Sequence, residues 1–160
     1  MKIKVLFFDD IFSDMFRKTH DGEQLAFDDA WFDSIERELT NGQIKGIDFE
    51  IVKSGEIELW PYLIERAEPD LVLLDLYWYE QAKQQGGECR AIDISLEALK
   101  GIRKRYPDLP VIQYSVKPDR ETMDQSYEAG ATFFLEKVPL AVPEAHSALK
   151  YLMIYLMRSK

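Results

Sequence analysis

Five polar residues stand at or just after the ends of short apolar runs in this 160-residue chain: Asp9, Asp10, Asp75, Ser115 and Lys137. If those ends meet, three carboxylates share one place. Two like charges about 4 Å apart repel by roughly 4 kcal/mol at an effective dielectric near 20, so a cation is needed. A hard ion with oxygen ligands, Mg²⁺ (or Mn²⁺), suits such a group. One carboxylate could then attack phosphorus, with the hydroxyl and the ammonium stabilising charge on the transferred oxygens.

The apolar runs indicate the elements that would bring these residues together. Helical patterns separate the runs, and this alternation predicts an α/β fold with a parallel sheet and helices on both faces. In such sheets, ligands bind beyond the carboxyl ends of the strands, where the five polar residues would lie. The predicted strands are Ile3 to Phe8, Ile47 to Val52, Leu71 to Leu74, Pro110 to Tyr114 and Thr132 to Leu135.

Apolar residues at three- and four-residue spacing predict five helices between and after the strands. We expect Asp93 or Ser95 to cap the third helix and Gly130 to end the fourth. The predicted helices carry Phe27 to Leu39, Leu59 to Ala67, Leu96 to Tyr106, Pro118 to Ala129, and Glu144 to Met157.

Two connections are long for this arrangement, at about 11–24 and 76–92. Long irregular loops in compact domains are often functional. The second follows Asp75 directly and contains Gln84-Gln85-Gly86-Gly87, so we expect a mobile lid or partner surface there.

Composition narrows the class of protein. The net charge of −9 argues against direct nucleic-acid binding, and we interpret the basic residues of 100–105 as a solvated helix face. A single cysteine, Cys89, favours a reducing, cytoplasmic location. No apolar run reaches the roughly 18 residues of a membrane span, and no signal peptide is expected. His20 and His146 lack a second ligand at metal spacing and are predicted to be surface residues.

Four stretches together resemble the signature stretches of response-regulator receiver domains, the CheY-like superfamily of two-component signal transduction. The resemblance covers most of the chain except the two long connections. It implies a single domain over 1–160 with the flavodoxin-like strand order 2-1-3-4-5. The stretches are Val5 to Asp10, Pro69 to Asp75, Pro110 to Ser115, and Ala129 through Lys137.

The resemblance also implies residue roles. Asp75 would be the phosphoacceptor, while Asp10 would bind Mg²⁺ directly and Asp9 mainly through water. The backbone carbonyl of Tyr77 would complete the protein ligands. The chain would thus accept a phosphoryl group and assist its transfer and hydrolysis without being a conventional enzyme.

In the same comparison Ser115 and Lys137 would contact the phosphoryl group, and Ser115 would also take part in switching. Phe134 stands at the switch-aromatic position, where plain core packing is the alternative. The sequence departs from the family pattern at Val116, where a small residue is usual, and at Val138, which separates Lys137 from Pro139.

The implied partners are a sensor histidine kinase or a phosphotransfer protein. A homodimer through the last helix is a further expectation, because Tyr151 to Met157 is apolar on every side. Two other functions stay open. One is a pseudo-receiver that binds partners without phosphorylation. The other is a haloacid dehalogenase-type phosphatase, although Ile11 and Phe12 stand where its second acid is needed. Whether the chain acts alone or within a longer protein also stays open.

Overall fold

The sheet has five parallel strands in the order β2-β1-β3-β4-β5, as predicted. A computed structural model describes residues 1–116, 118–137 and 142–160. The central strands are predominantly apolar because helices cover both of their faces. The strands are β1 Lys2–Phe8, β2 Asp48–Ser54, β3 Leu71–Asp75, β4 Val111–Ser115 and β5 Phe133–Glu136.

Helices form a layer on each face of this sheet. The helices are α1 Asp14–Thr19, α2 Gly22–Thr40, α3 Trp60–Ala67, α4 Tyr79–Gln84, α5 Ala91–Arg105, α6 Arg120–Ala129 and α7 Pro143–Arg158. Short 3-10 turns cover Asp10–Phe12, Ile57–Leu59 and Glu88–Arg90. The core packed by α2 and α7 is separate from the core packed by α3 to α6.

Alternation along the strands assigns each side chain to one of these cores. On β4, Ile112 and Tyr114 face α2 and α7, whereas Val111 belongs to the opposite core. Every residue of β3 and β4 is buried. Because successive side chains alternate, Tyr114 and Ser115 lie on opposite faces of the sheet.

The predicted starts of two helices were wrong. Helix α5 begins at Ala91, and neither Asp93 nor Ser95 is its cap. Ser95 lies inside the helix, and its buried hydroxyl donates to the carbonyl of Asp75 at 2.9 Å instead of capping the helix. Helix α6 begins after Asp119, whose side chain accepts from the Thr122 amide, so Pro118 precedes it. Gly130 ends α6 in the left-handed region, at φ 113°, as predicted.

The prediction of irregular structure in the two long connections was also wrong. The first contains α1, and the second contains α4 and a 3-10 turn. Their six-residue helices are too short to show a clear period in the sequence. Trp78 is fully buried and fixes the second connection, whereas Gln84 and Gln85 are exposed. Mobility near 84–87 stays a prediction that amide hydrogen exchange would test.

The basic residues of α5 are only partly a solvated face. Lys100, Lys104 and Arg105 are exposed, as expected. Arg103 instead ties the end of α5 to the turn after α6, since its guanidinium donates to the carbonyl of Gly130 at 2.7 and 2.9 Å.

The last helix presents apolar surface, as its sequence predicts. Met153 and Ile154 are buried, while Tyr151 and Tyr155 are exposed on the outside of α7. Whether this surface pairs two copies stays a prediction. Among the helices in the described part of the chain, none has both the length and the apolar character needed to cross a membrane.

Candidate functional site at the carboxyl ends of the strands

The carboxyl ends of β1, β3 and β5 bring four of the predicted residues together. Asp9 is fully buried after β1, and its Oδ1 accepts the Ile11 amide at 3.1 Å, which caps the following 3-10 turn. Asp10 lies inside that turn, with Oδ2 accepting the Glu80 amide at 3.2 Å. Helix α4 therefore holds one member of the acidic pair.

Lys137 joins the carboxylates of β1 and β3. Its Nζ lies 3.0 Å from Asp9 Oδ2 and 3.3 Å from Asp75 Oδ1. Its backbone amide donates to the carbonyl of Ser115 at 2.6 Å, so its position follows from the pairing of β4 with β5. One ammonium thus bridges the two aspartates that the sequence predicts to lie together.

The site nevertheless keeps an excess of negative charge. Burial, followed by the charge of Asp9, raises the pKa of Asp75 well above its usual value despite Lys137. Burial, together with the charges of Asp9 and Glu80, raises the pKa of Asp10 to about 6. Burial opposes the charged form of Lys137, but Asp75 and Asp9 outweigh it and raise the pKa of its ammonium. An added cation would relieve this imbalance.

The donor set fits a hard divalent ion. Among the described residues, no group of three or more His, Cys, Asp or Glu side chains is arranged to hold a metal. Mg²⁺ does not require such a cage, because it binds through one or two carboxylates and keeps its waters. Asp10 and Asp75 are buried oxygen donors whose pKa values are raised, first by burial and then by neighbouring carboxylates, so a bound cation would favour their ionised forms. These two residues would hold the metal, while a role for Asp9 through a bound water stays a prediction.

A polar network behind the site fixes the end of β3. The carbonyl of Asp75 accepts from the Trp78 indole at 2.8 Å and from the Ser95 hydroxyl at 2.9 Å. Ser95 in turn accepts from Gln113 Nε2 at 2.5 Å. Because all these side chains are fully buried, the backbone under the Asp75 carboxylate is held rigidly.

Two tyrosines belong to the site although the sequence analysis did not assign their hydroxyls a role. The Tyr114 hydroxyl donates to Asp9 Oδ2 at 2.5 Å. Burial raises the pKa of the Tyr77 hydroxyl, and the neighbouring Ser115 side chain opposes that rise. The position of Tyr114 just before the end of β4 was the available signal, since a tyrosine there is long enough to reach a neighbouring strand end.

Comparisons with known proteins identify the architecture. No protein-family model matches the sequence, and no curated protein matches it significantly. Solved structures do match over nearly the whole chain. A CheY-like receiver domain protein from Methanospirillum hungatei is 19% identical, with a TM-score of 0.58 and 100% of both chains covered. The response regulator domain of Thermotoga maritima CheB is 16% identical, with a TM-score of 0.61, covering 99% of this chain and 98% of that one.

This chain has the receiver fold. A third structure, the BeF₃-activated N-terminal receiver domain of Klebsiella pneumoniae RstA, is 20% identical with a TM-score of 0.53, covering 92% of this chain and 97% of that one. At these identities the likeness establishes the fold and leaves the chemistry to the residues themselves.

The remaining predicted residues differ in where the receiver fold places them. Ser115 is fully buried at the end of β4, and Phe134 is buried on β5 with its amide donating to the Tyr127 hydroxyl at 3.1 Å. Val116 is 58% exposed, so its side chain does not fill the core. Val138 and Pro139 lie outside the described residues. A metal-binding role for the Tyr77 carbonyl stays a prediction.

Proposed function

We propose that this chain accepts a phosphoryl group on Asp75, with a divalent cation bound beside it, and that the modified state changes the binding of a partner. The observation that carries the proposal is the Lys137 bridge between Asp9 and Asp75 at the carboxyl ends of a receiver-fold sheet. A purely structural ion pair would join one acid to one base, whereas here the single ammonium of Lys137 contacts two aspartates and the charge of Asp10 also acts on Asp75.

Asp75 is the nucleophile in this proposal. A carboxylate oxygen forms a bond to phosphorus while the bond from phosphorus to the donor's leaving group breaks, and the leaving group departs with that electron pair. Only the ionised carboxylate can attack, and burial, which raises the pKa of Asp75, opposes that ionisation. A bound Mg²⁺ would supply positive charge that favours the ionised form of Asp75, together with coordination positions for phosphoryl oxygens.

Lys137 and Ser115 would stabilise the product. The Lys137 ammonium already contacts Asp75 Oδ1. After phosphorylation it would form an ion pair with the phosphoryl oxygens, where the negative charge then lies. Ser115 is fully buried at the end of β4, so its hydroxyl would have to turn toward the phosphoryl group. Phe134 lies on the neighbouring strand β5, and a change at Ser115 that moves this strand would carry the signal from the site to the surface. We therefore expect Lys137→Ala to accept phosphate without the conformational response.

The donor would be a sensor histidine kinase or a phosphotransfer protein in the cytoplasm, as for two-component receivers. Hydrolysis of the aspartyl phosphate would reset the chain, so it acts as a switch rather than a conventional enzyme. The RstA receiver takes up BeF₃ in its activated form, which makes beryllofluoride a suitable probe of Asp75 here.

Intact-mass measurement after incubation with acetyl phosphate tests the proposal. We expect the wild type to gain one phosphoryl group with Mg²⁺. With a chelator in place of Mg²⁺, the labelled fraction should be at least ten-fold lower. Asp75→Asn should fold normally and show no labelling, because the amide is nearly isosteric but not nucleophilic. Asp124→Asn is the matched control, since Asp124 is exposed on α6.

Two results would contradict the proposal. Equal labelling of wild type and Asp75→Asn would show that another residue is the acceptor. Failure of all variants to label with any phosphodonor, or to bind beryllofluoride, would favour the pseudo-receiver alternative.

A further inference from the structure

A cavity of about 340 Å³ lies between α2, α7 and the sheet, on the opposite face from α5. Its surface is almost wholly apolar. The walls include the Trp31 ring and Ile35 from α2, Leu73 from β3, and Leu149 and Leu152 from α7. Ala145 and Ala148 line it from α7, so the helix approaches with its smallest side chains at this place. The cavity is therefore concave but partly open to solvent, since Ala148 is exposed at its edge.

The volume sets the size of a possible ligand. An apolar cavity of roughly 150 Å³ accommodates one benzene ring. The present cavity is about twice as large and falls within the usual range of small-molecule sites, roughly 300 to 1,000 Å³. Two fused aromatic rings would fill it, and Trp31 supplies an aromatic face for stacking.

One end of the cavity touches the functional site. Lys137 lines it, and its Nζ lies 5.6 Å from the Trp31 ring centroid and 4.8 Å from the Tyr114 ring centroid. The same ammonium contacts Asp9 and Asp75. An ammonium has three donors, and among the described residues these two carboxylates are its ionic partners. A ligand oxygen could accept the third donor.

Charge decides the class of that ligand. Two carboxylates already face the single ammonium, and Glu136 also lines the cavity. An anionic ligand would meet this surplus of negative charge, whereas a neutral carbonyl or amide oxygen would not. The apolar walls of the cavity disfavour a charged or strongly polar group elsewhere on the ligand.

We propose that this cavity binds a neutral bicyclic aromatic molecule that carries one hydrogen-bond acceptor, directed at Lys137. Its binding stabilises the arrangement in which Lys137 is held on Asp9 and Asp75. The binding itself goes beyond the phosphoryl-acceptor function and does not depend on it. The effect on phosphorylation rests on that function, because Lys137 must leave Asp75 to follow the phosphoryl group.

Titration calorimetry on the unphosphorylated full chain tests the binding, with 2-naphthamide as probe and 2-naphthoate as its anionic counterpart. We expect 2-naphthamide to bind at one site and 2-naphthoate to bind at least ten-fold more weakly. Ala148→Phe should weaken 2-naphthamide binding at least ten-fold by occupying the cavity. Ala26→Phe is the matched control, because Ala26 is exposed on α2 and does not line the cavity.

Amide and indole chemical shifts locate the probe, and the Trp31 indole should move while that of Trp60 stays. Circular dichroism checks folding of Ala148→Phe, and Ala145→Leu is the second variant if that protein is unfolded. Absence of binding, equal affinity of Ala148→Phe and wild type, or tighter binding of 2-naphthoate would each overturn the proposal. So would light scattering that shows the probe separating two copies of the chain, since a partner would then be the occupant.

The same probe tests the link to Asp75. Labelling by acetyl phosphate should slow several-fold when 2-naphthamide saturates the wild type, and should stay unchanged in Ala148→Phe. Unchanged labelling of the saturated wild type would overturn the coupling. If no sample is labelled at all, the phosphoryl-acceptor function fails, while the calorimetric result still decides whether the cavity binds its ligand.

Discussion

Two clusters of charged side chains in this molecule differ in the balance of their acidic and basic groups. The carboxylate cluster consists of Asp9, Asp10, Asp75 and Lys137 at the strand ends. The helix-pair cluster consists of Ser34, Glu38, His146, Ser147 and Lys150 between α2 and α7. The first has three acids for one base, and the second pairs one acid with one base.

In the helix-pair cluster, the acidic and the basic side chain are paired with each other. Lys150 Nζ lies 2.8 Å from Glu38 Oε1 and donates to the Glu38 carbonyl at 3.2 Å. The Ser147 hydroxyl donates to the same carboxylate at 2.7 Å. Hydrogen bonds from Lys150 and Ser147 lower the pKa of Glu38, whereas burial raises the pKa of Asp10 and Asp75. A balanced cluster stabilises the fold, and an unbalanced one costs stability until a ligand completes it.

His146 shows how the helix pair corrects the sequence analysis. It is only 3% exposed, so the prediction of a surface histidine was wrong. Its Nδ1 lies 3.3 Å from the Ser34 hydroxyl, and Nε2 has no hydrogen-bond partner among the described residues. Burial lowers the pKa of the imidazole. His146 therefore supports packing of α7 on α2 as a neutral side chain.

The largest expected effect comes from breaking the balanced cluster. Glu38→Ala should lower the free energy of unfolding by about 3 kcal/mol, because Lys150 would stay buried without its carboxylate. Urea denaturation measures the change. Glu36→Ala is a control on the same helix, since its pair with Lys53 is exposed and should be worth less than about 1 kcal/mol. Equal losses in the two variants would contradict the contrast.

The opposite sign is expected in the carboxylate cluster. Asp10→Asn should raise the free energy of unfolding at pH 7.5 without metal by about 2 kcal/mol, because it removes a buried charge. The native carboxyl has a pKa of about 6 and the unfolded one about 3.8, so the native state binds more protons between these values. Wild-type stability therefore falls as pH rises through this window.

The gain from Asp10→Asn should consequently vanish below about pH 4. Saturating Mg²⁺ should stabilise the wild type and have less effect on the variant. Urea denaturation at several pH values, with and without Mg²⁺, checks both expectations. A destabilised Asp10→Asn protein at pH 7.5 would show that the cluster is already balanced.

Tyr114→Phe should have a smaller effect. The change removes the hydroxyl that donates to Asp9 but keeps the packed ring, and Asp9 retains Lys137 and the Ile11 amide. We expect a loss of about 1 kcal/mol in metal-free protein, measured by urea denaturation. Tyr106→Phe serves as a control outside the cluster, and an equal loss there would remove the special role of Tyr114.

The smallest expected effect concerns access to the carboxylate cluster. Val116 follows Ser115 and is exposed, so Val116→Ala should leave stability within about 0.5 kcal/mol of wild type. Labelling of Asp75 by acetyl phosphate should become two- to five-fold faster as the approach widens. An unchanged labelling rate would show that Val116 does not limit the reaction.

The sequence by itself determined the five strands and the residues that end them, whereas their order came from the resemblance to receiver domains. Apolar runs such as Leu71 to Leu74 are typical of buried strands, and in a parallel sheet the residue that ends each run lies at the carboxyl edge. The placement of Asp9, Asp75 and Lys137 together follows from that rule alone. Local periodicity was sufficient because each strand carries its own signal.

Only the tertiary structure decided which groups support those residues. The Tyr114 hydroxyl reaches Asp9 across 105 positions of the chain, and Ser95 reaches the carbonyl of Asp75 from inside a helix. Trp78 is anchored in a segment that shows no period, and His146 is buried because α2 packs over it. Each of these contacts depends on how two elements pack against each other. The residue pattern within one element does not specify which residues of another element will contact it.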